Sequence, residues 1–377
     1  MEPVIENKTE ENGRLSFTLS GVNVSIANAI RRIIIAEIPC VVFRTTPHDE
    51  NKMTMRINTT RMNNELIKQR MSCVPINISD ITVPIENYEI SIDKKNNSDV
   101  IEYVTTEDIT INDTATGKQL TDIEVRKIFP PDSLTGDYID IARLRPRLSA
   151  DIDGEHLALV SKLDIGTAKE NGSFNVVSTC SYGNTENPEI ISAKEKQLRS
   201  EMKTSGMDDE TIEFKIKDWL LLNSQLYSVP NSFDFTIETI GQFTNTDVVL
   251  RCIDVMIKKV SKFKSDITKN EDLIEQSDTT LVNGFDIKLI SEDYTLGKAM
   301  ESVLYSSHYD RVSSKSDKTL NFCGFKKPHP HIDESIIRLG FIDSSVNKAF
   351  IVSMLVSVCE KLEAVFNSIA KIFEGVD

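Results

Sequence analysis

Glycine is scarce in this chain, with 15 among 377 residues, and none of it forms a phosphate-cradling loop. H-E-x-x-H and G-x-S-x-G are missing too, so the common metalloprotease and nucleophile-elbow chemistries have no anchor. The six cysteines (Cys40, Cys73, Cys180, Cys252, Cys323, Cys359) are widely spaced and include no C-x-x-C, which argues against a zinc ribbon or a disulfide scaffold and for reduced, mostly buried thiols. No apolar run reaches membrane-spanning length, and the opening MEPVIENKTEENG is too polar and acidic for a signal or transit peptide. A soluble protein of a reducing compartment is expected. Basic residues are outnumbered, 43 against 58, for a net charge of −15. Such a chain is not as a whole a clamp on phosphate backbones, although a local basic patch remains open.

With 40% hydrophobic residues the chain can bury a sizeable core, and its length allows two or three domains. Leu15, Phe17 and Leu19 alternate as in a half-buried strand. After a short loop, Ser25 is placed to cap a helix running to about Glu37, with the stripe Ile26, Ala29, Ile30, Ile33 and Ile34. The same pattern returns 270 residues later. Phe285, Ile287 and Leu289 alternate, Thr295 takes the capping place, and Leu296, Ala299, Met300, Val303 and Leu304 repeat the stripe; LSFTLSGVNVSIANAI lies over FDIKLISEDYTLGKAM without a gap. Each copy also owns a longer helix. Val249, Ile253, Met256, Val260 and Phe263 step by four and three, as do Ile351, Leu355, Val358, Leu362, Val365, Ile369 and Ile372. These seams pack either as plain core or against each other between the copies.

The longer helices are related by a shift of about 102, so the first copy holds roughly 168 extra residues, too many for a loop. The expected fold is α+β: two copies of helices packed on small antiparallel sheets, the first built from 1–45 and 229–265 and the second from 282–377. A mainly β insertion over 46–228 and a polar linker at 266–281 complete it. Strands are read in ISDITVPIENYEISID, EDITIND and HLALVSKL, and a helix at 208–227 with Asp208 or Asp209 as cap.

Three clusters are candidate sites. Cys323, His329, His331 and Asp333 in CGFKKPHPHIDE supply zinc-type ligands, or else form a proline-stiffened turn. Arg143, Arg145 and Arg147 in ARLRPRLS fall on one face of a strand, either a solvated edge guarded by charge or a docking face for an acidic partner. Arg31 and Arg32 stand together inside the first helix, either as a solvated flank or as guanidinium forks reaching a carboxylate across a subunit boundary.

LSFTLSGVNVSIANAIRRIIIAEIP resembles the start of alpha-type subunits of cellular DNA-directed RNA polymerases. NTTRMNNELIKQRMSCVPI, IGTAKENGSF and FTIETIGQFTNTDVVLRCIDVMIKKV resemble successive motifs of the large alpha-like subunit of the eukaryotic and archaeal enzymes. EDYTLGKAMESVL and FCGFKKPHPHIDESIIRL are similar to motifs of the small one. The resemblance therefore covers nearly the whole chain and implies both partners fused, as in large nucleocytoplasmic DNA viruses. It implies two dimerisation domains clasped as an intramolecular pseudo-dimer, with a seam of Ile30, Ile34, Val249, Ile253, Met256, Val260, Leu296, Met300, Ile351, Leu355, Val358 and Leu362. It implies an assembly platform with no catalytic residues and no cofactor, docking the second-largest and largest subunits and small subunits of the tenth- and twelfth-subunit type in infected cells and virions. Arg31 and Arg32 would be partner contacts, joined by Glu37, Arg70 and Lys169 in the matched motifs and by Arg143 and Arg145. The zinc of many large alpha-like subunits is expected to be absent, because the insertion holds only Cys73 and Cys180. Lys298 stands where the small-subunit motif has Asn, and SSKSDKTLN (313–321) is longer than that pattern. The competing readings are a stand-alone metal-dependent enzyme using His329, His331 and Asp333, and an acidic DNA-associated factor using 142–147.

Overall fold

The computed structural model describes residues 1–147, 149, 153–309, 311–312 and 318–375. The chain opens with β1 (Val4–Glu11), β2 (Arg14–Ser20) and α1 (Val24–Ala36). Next come β3 (Cys40–Val42), β4 (Met53–Asn58), α2 (Asn64–Ser72), β5 (Tyr88–Lys95), β6 (Glu102–Thr105), β7 (Thr110–Asp113), β8 (Lys118–Gln119), α3 (Asp122–Ile128), β9 (Asp140–Leu144), β10 (His156–Lys162) and β11 (Asp164–Gly166). The first sheet is then completed by β12 (Val177–Glu186) and β13 (Ser228–Thr239), which flank α4 (Pro188–Thr204) and α5 (Asp209–Leu222), and α6 (Asn245–Lys269) follows. The last third holds β14 (Ile274–Gln276), β15 (Gly284–Ile290), α7 (Tyr294–Leu304), β16 (Leu320–Lys326), β17 (Glu334–Phe341) and α8 (Lys348–Glu374).

These elements form two compact units: one of Met1–Ile34, Thr179–Glu238 and Asn245–Asp377, the other of Ile35–Ser178 and Thr239–Thr244. The division differs from the expected 46–228. Residues 179–228 join the first unit because β12 is the outer strand of its sheet, ordered β1-β2-β13-β12, with Thr185 and Ser232 hydroxyls bonded across the strands at 2.9 Å. The expected linker is also mostly ordered structure. Residues 266–269 are the last turn of α6, and β14 pairs with β15 through Ile274 opposite Ile287.

Within the first unit the two four-stranded sheets share one design. The second is ordered β14-β15-β17-β16, so each runs edge, centre, centre, edge in the same chain sequence. Phe17 faces Phe235 and Leu15 faces Ile237 in the first, and Ile287 faces Ile337 and Phe285 faces Leu339 in the second. Shifts of 270 and 102 residues carry one register onto the other, so pairing and sequence repeat agree. Both short helices bury the stripes read from the sequence, Ile26 to Ile34 and Leu296 to Leu304. Their caps, however, lie two residues earlier than Ser25 and Thr295. Asn23 Oδ1 accepts the Ser25 N–H at 2.9 Å, and Asp293 Oδ1 accepts the Thr295 N–H at 2.9 Å.

The long helices lie side by side. Ser261 donates to Glu363 at 3.0 Å and Lys264 pairs with Glu360 at 3.1 Å, above a buried stripe of Val249, Ile253, Met256, Val260, Ile351, Leu355, Val358 and Leu362. Each helix also serves the other copy's sheet. Phe373 of α8 stands edge-on to Phe17 of β2 at 5.1 Å, and Lys259 of α6 meets the buried Glu292 after β15 at 2.8 Å. α4 was not anticipated, although Asn187 capping Ile190 with Pro188 next is a recognised start signal. α5 is capped by Asp208, one of the two caps read from the sequence, but it ends at Leu222 and a 3-10 turn over Ser224–Leu226 takes up most of the rest of the expected 208–227.

The second unit is built on a sheet ordered β4-β10-β5-β7-β8, with β6-β9 and β3-β11 as two-stranded ribbons. Its core holds Phe43, Met53, Ile67, Ile90, Ile111, Ile141, Leu157 and Leu159.

Candidate docking surfaces

Arg32 leaves the third turn of α1 and closes on the start of α7. Its Nη2 donates to Asp293 Oδ2 and its Nε to Thr295 Oγ1, both at 2.9 Å. The carboxylate that no neighbour of Arg32 supplies therefore comes from 261 residues away, on the residue that caps α7. This fork spends Arg32 inside the chain, whereas the resemblance made it a contact to a partner. Among the described residues Arg31 is held by Asn28 Oδ1, at 2.9 and 3.1 Å, and it stays half-buried. Its charge faces Cys180, whose thiol burial pushes up to about 12 against the opposing pull of Arg31.

The equivalent place on the other copy is built differently. A shift of 270 carries Arg32 to Ser302 and Asp293 to Asn23. There Asn23, Ser25, Glu301 and Ser302 line an opening of about 440 Å³. Glu301 pairs with Lys298 at 2.5 Å and accepts the Phe325 N–H at 3.1 Å, so the Lys that replaces the motif's Asn has a carboxylate partner in its own helix. The segment 313–317 of the lengthened stretch lies outside the described residues.

In the second unit the arginines of two distant sequence stretches meet. Arg61 precedes α2 and Arg70 lies in its last turn, and Arg143 and Arg145 belong to β9 and the residues after it; all four line one cavity of about 530 Å³. The loop before α2 is shaped by its own side chains. Asn58 Nδ2 bonds the Met62 carbonyl at 2.9 Å, and Asn63 caps the helix through the Leu66 N–H at 2.9 Å. Arg70 donates to the Asp140 carbonyl at 2.6 Å. Arg145 is tied to the buried Glu155, side chain to carboxylate at 2.6 Å and backbone N–H to carboxylate at 2.8 Å. Arg61 and Arg143 have no ion pair among the described residues and stand exposed. Arg147 points elsewhere, to the exposed Asp99 at 3.3 Å. Strand alternation marks Arg143 and Arg145, but nothing in the sequence pairs them with Arg61.

Glu37 follows α1 half-buried, and Lys169 exposes its side chain while its N–H donates to the Ala36 carbonyl at 2.7 Å. The stretch around Lys169 has a packing role. A Cβ on Gly166 would meet the Phe174 ring at 2.8 Å, and Glu170 pairs with Arg44 at 3.0 Å. Burial works against the charge of Arg44, but Asp164 at 2.7 Å and Glu170 outweigh it and raise its pKa above the ordinary value.

The histidine cluster is dispersed. The rings of His329 and His331 are 5.1 Å apart in an exposed turn, Asp333 accepts the Ser291 hydroxyl at 2.8 Å, and Cys323 sits on β16 beside α7. Burial first, and Glu301 second, push its thiol up to about 12. Among the described residues no three such ligands are grouped to hold a metal, and no helix is long and apolar enough to cross a membrane.

A sheet carrying a short helix, followed by a long helix that pairs with its own repeat, is the arrangement of a dimerisation module. Residues 16–260 match the RNA polymerase Rpb3/Rpb11 dimerisation domain, and the chain belongs to that family. Among its relatives is the DNA-directed RNA polymerase subunit Rpo3 of Pyrococcus furiosus, 21% identical over 286 residues that cover 71% of this chain and 98% of the relative. Subunit 3B of RNA polymerases IV and V of Arabidopsis thaliana is 23% identical, covering 72% of this chain and 93% of the relative. RNA polymerase II subunit RPB3 of Schizosaccharomyces pombe is 29% identical over 70 residues, 19% of this chain and 21% of the relative.

Proposed function

We propose that this chain is a non-catalytic, alpha-like subunit of a multisubunit DNA-directed RNA polymerase, and that it fuses the large and small members of the alpha-like pair in one polypeptide. The observation that carries the reading is the second sheet. A family member already long enough to span almost all of Rpo3 continues into a further sheet with the register of the first, Phe17 opposite Phe235 becoming Ile287 opposite Ile337. In this reading the seam of α6 and α8 replaces the interface of two separate chains, and the unit 35–178 with 239–244 is the domain inserted into the first copy. The role is to gather the second-largest and then the largest subunit, with small subunits of the tenth- and twelfth-subunit type. The half-buried Arg31, which has no ion pair among the described residues, is the first candidate contact on α1. The reading as a polymerase subunit of a large DNA virus working in infected-cell cytoplasm rests on the resemblance of the fused pair to the alpha-like fusions of such viruses.

Affinity purification of the tagged chain from its native source tests the assignment. Two very large polymerase subunits in stoichiometric amounts, with RNA synthesis by the eluate, are expected. A monomeric chain free of any polymerase subunit would overturn it.

A further inference from the structure

The cavity of the second unit joins two features rarely found together on a free surface: a rim of guanidinium groups and an apolar floor. Among the described residues Arg61 and Arg143 have no ion pair, Arg70 is bonded to a carbonyl rather than an acid, and Arg145 is paired with Glu155, while Asp140 also lines the cavity. Between them Ile101 and Tyr103 are 49% and 48% exposed. The unit around this rim is acidic, with 23 Asp and Glu against 16 Lys and Arg, so the cluster is a local exception.

We propose that this cavity binds a short acidic segment of a second polypeptide, seating one apolar side chain against Tyr103 and Ile101 and placing flanking carboxylates on Arg61 and Arg143. Three guanidinium groups without acids cannot be covered by an apolar surface alone, since their desolvation would go uncompensated. Carboxylates answer this, because the planar fork pairs with them through two parallel bonds. The floor explains why the ligand is a peptide and not a phosphate backbone: nucleic acid is tracked by a long basic stripe, whereas this unit is acidic as a whole and the cavity lining itself includes Asp140 and Glu155. Arg70, bonded to the Asp140 carbonyl, closes part of the free edge of β9, so recognition runs through side chains rather than strand addition. That the peptide belongs to a polymerase subunit rests on the function proposed above; binding of the peptide does not.

The test uses the full chain and a fluorescent hexapeptide, EDFLDE, followed by anisotropy. A serine version, EDSSDE, and a single-stranded oligonucleotide serve as competitors. The native chain is expected to bind EDFLDE, and to bind EDSSDE about tenfold more weakly, the loss expected when an apolar anchor is removed. Arg61→Glu with Arg143→Glu is expected to abolish binding at a nearly unchanged melting temperature, because neither side chain makes a hydrogen bond or ion pair among the described residues; Arg143→Gln should weaken it about tenfold, the worth of one charge-assisted pair. Equal binding of the two peptides, preferential binding of the oligonucleotide, unchanged affinity in the double variant, or no binding of EDFLDE at millimolar concentration would each overturn the proposal. Peptide binding by a chain that purifies without polymerase subunits would sink the function and leave this site standing.

Discussion

Arg31 and Arg32 are neighbours with different employment. The fork of Arg32 on Asp293 and Thr295 is part-buried, with side-chain exposures of 33% and 21% for the charged pair. Replacing it by Ala removes a charge-assisted bond and a neutral one, and should lower stability by roughly 1–2 kcal/mol. Arg31→Ala loses two bonds to the one Asn28 oxygen within the same helix and should stay within about 0.5 kcal/mol of the parent. Urea denaturation of both single variants separates the two roles, and equal losses would refute the distinction. The outcome bears on function as well. A partner-capture defect in Arg31→Ala is interpretable as a lost contact, whereas one in Arg32→Ala must first be corrected for the opened clasp.

Gly297 shows what a single element demands. α7 packs so closely on β16 that a Cβ on Gly297 would lie 2.0 Å from the Phe325 ring, which Tyr294 also holds edge-on at 5.3 Å. Ala is the better helix former by about 1 kcal/mol, but overpacking of this kind costs about 1–3 kcal/mol, so Gly297→Ala should destabilise. The same change made in a Phe325→Leu background should recover most of the loss, a coupling that thermal melts of the double-mutant cycle would reveal. Additive effects would mean that the ring is not the obstacle. At this scale much was legible beforehand. The stripes of α1, α6 and α7, and that of α8 as far as Ile369, follow from periodicity, because a helix that buries one face repeats its apolar residues every three or four positions; Ile372, expected to close the α8 stripe, is exposed, and Phe373 is buried in its place. The caps were misplaced by two residues, since Ser25 and Thr295 are good capping types inside first turns that Asn23 and Asp293 already cap. The partners of Arg32 and the meeting of Arg61 with Arg143 were not legible, because sequence spacing carries no information about which distant turns fold together. The extent of the second unit differs from the expectation for a related reason: residues 177–186 fall inside the expected insertion, and only the pairing of β12 with β13 assigns them to the first sheet.

For the whole molecule, the proposed clasp predicts that covalent continuity is dispensable once folding is complete. A protease site placed in the loop around Thr279 lies between β14 and β15 and outside both long helices. The nicked halves should stay together at micromolar concentration, since α8 covers Phe17 of the first sheet while α6 reaches Glu292 beside the second. Size-exclusion chromatography after cleavage decides it, and separation into two species would end the idea of an internal interface. A tether of this kind acts by effective concentration, typically around millimolar, and so secures assembly without altering the contacts themselves.

The ion pair of Arg32 with Asp293 has no twin, since Ser302 and Asn23 occupy the mirrored places. A true homodimer is ambidextrous: any visitor finds the same welcome on either side of the axis. Here one flank is latched and the other left ajar, so the molecule has a port and a starboard, written into which half comes first in the gene.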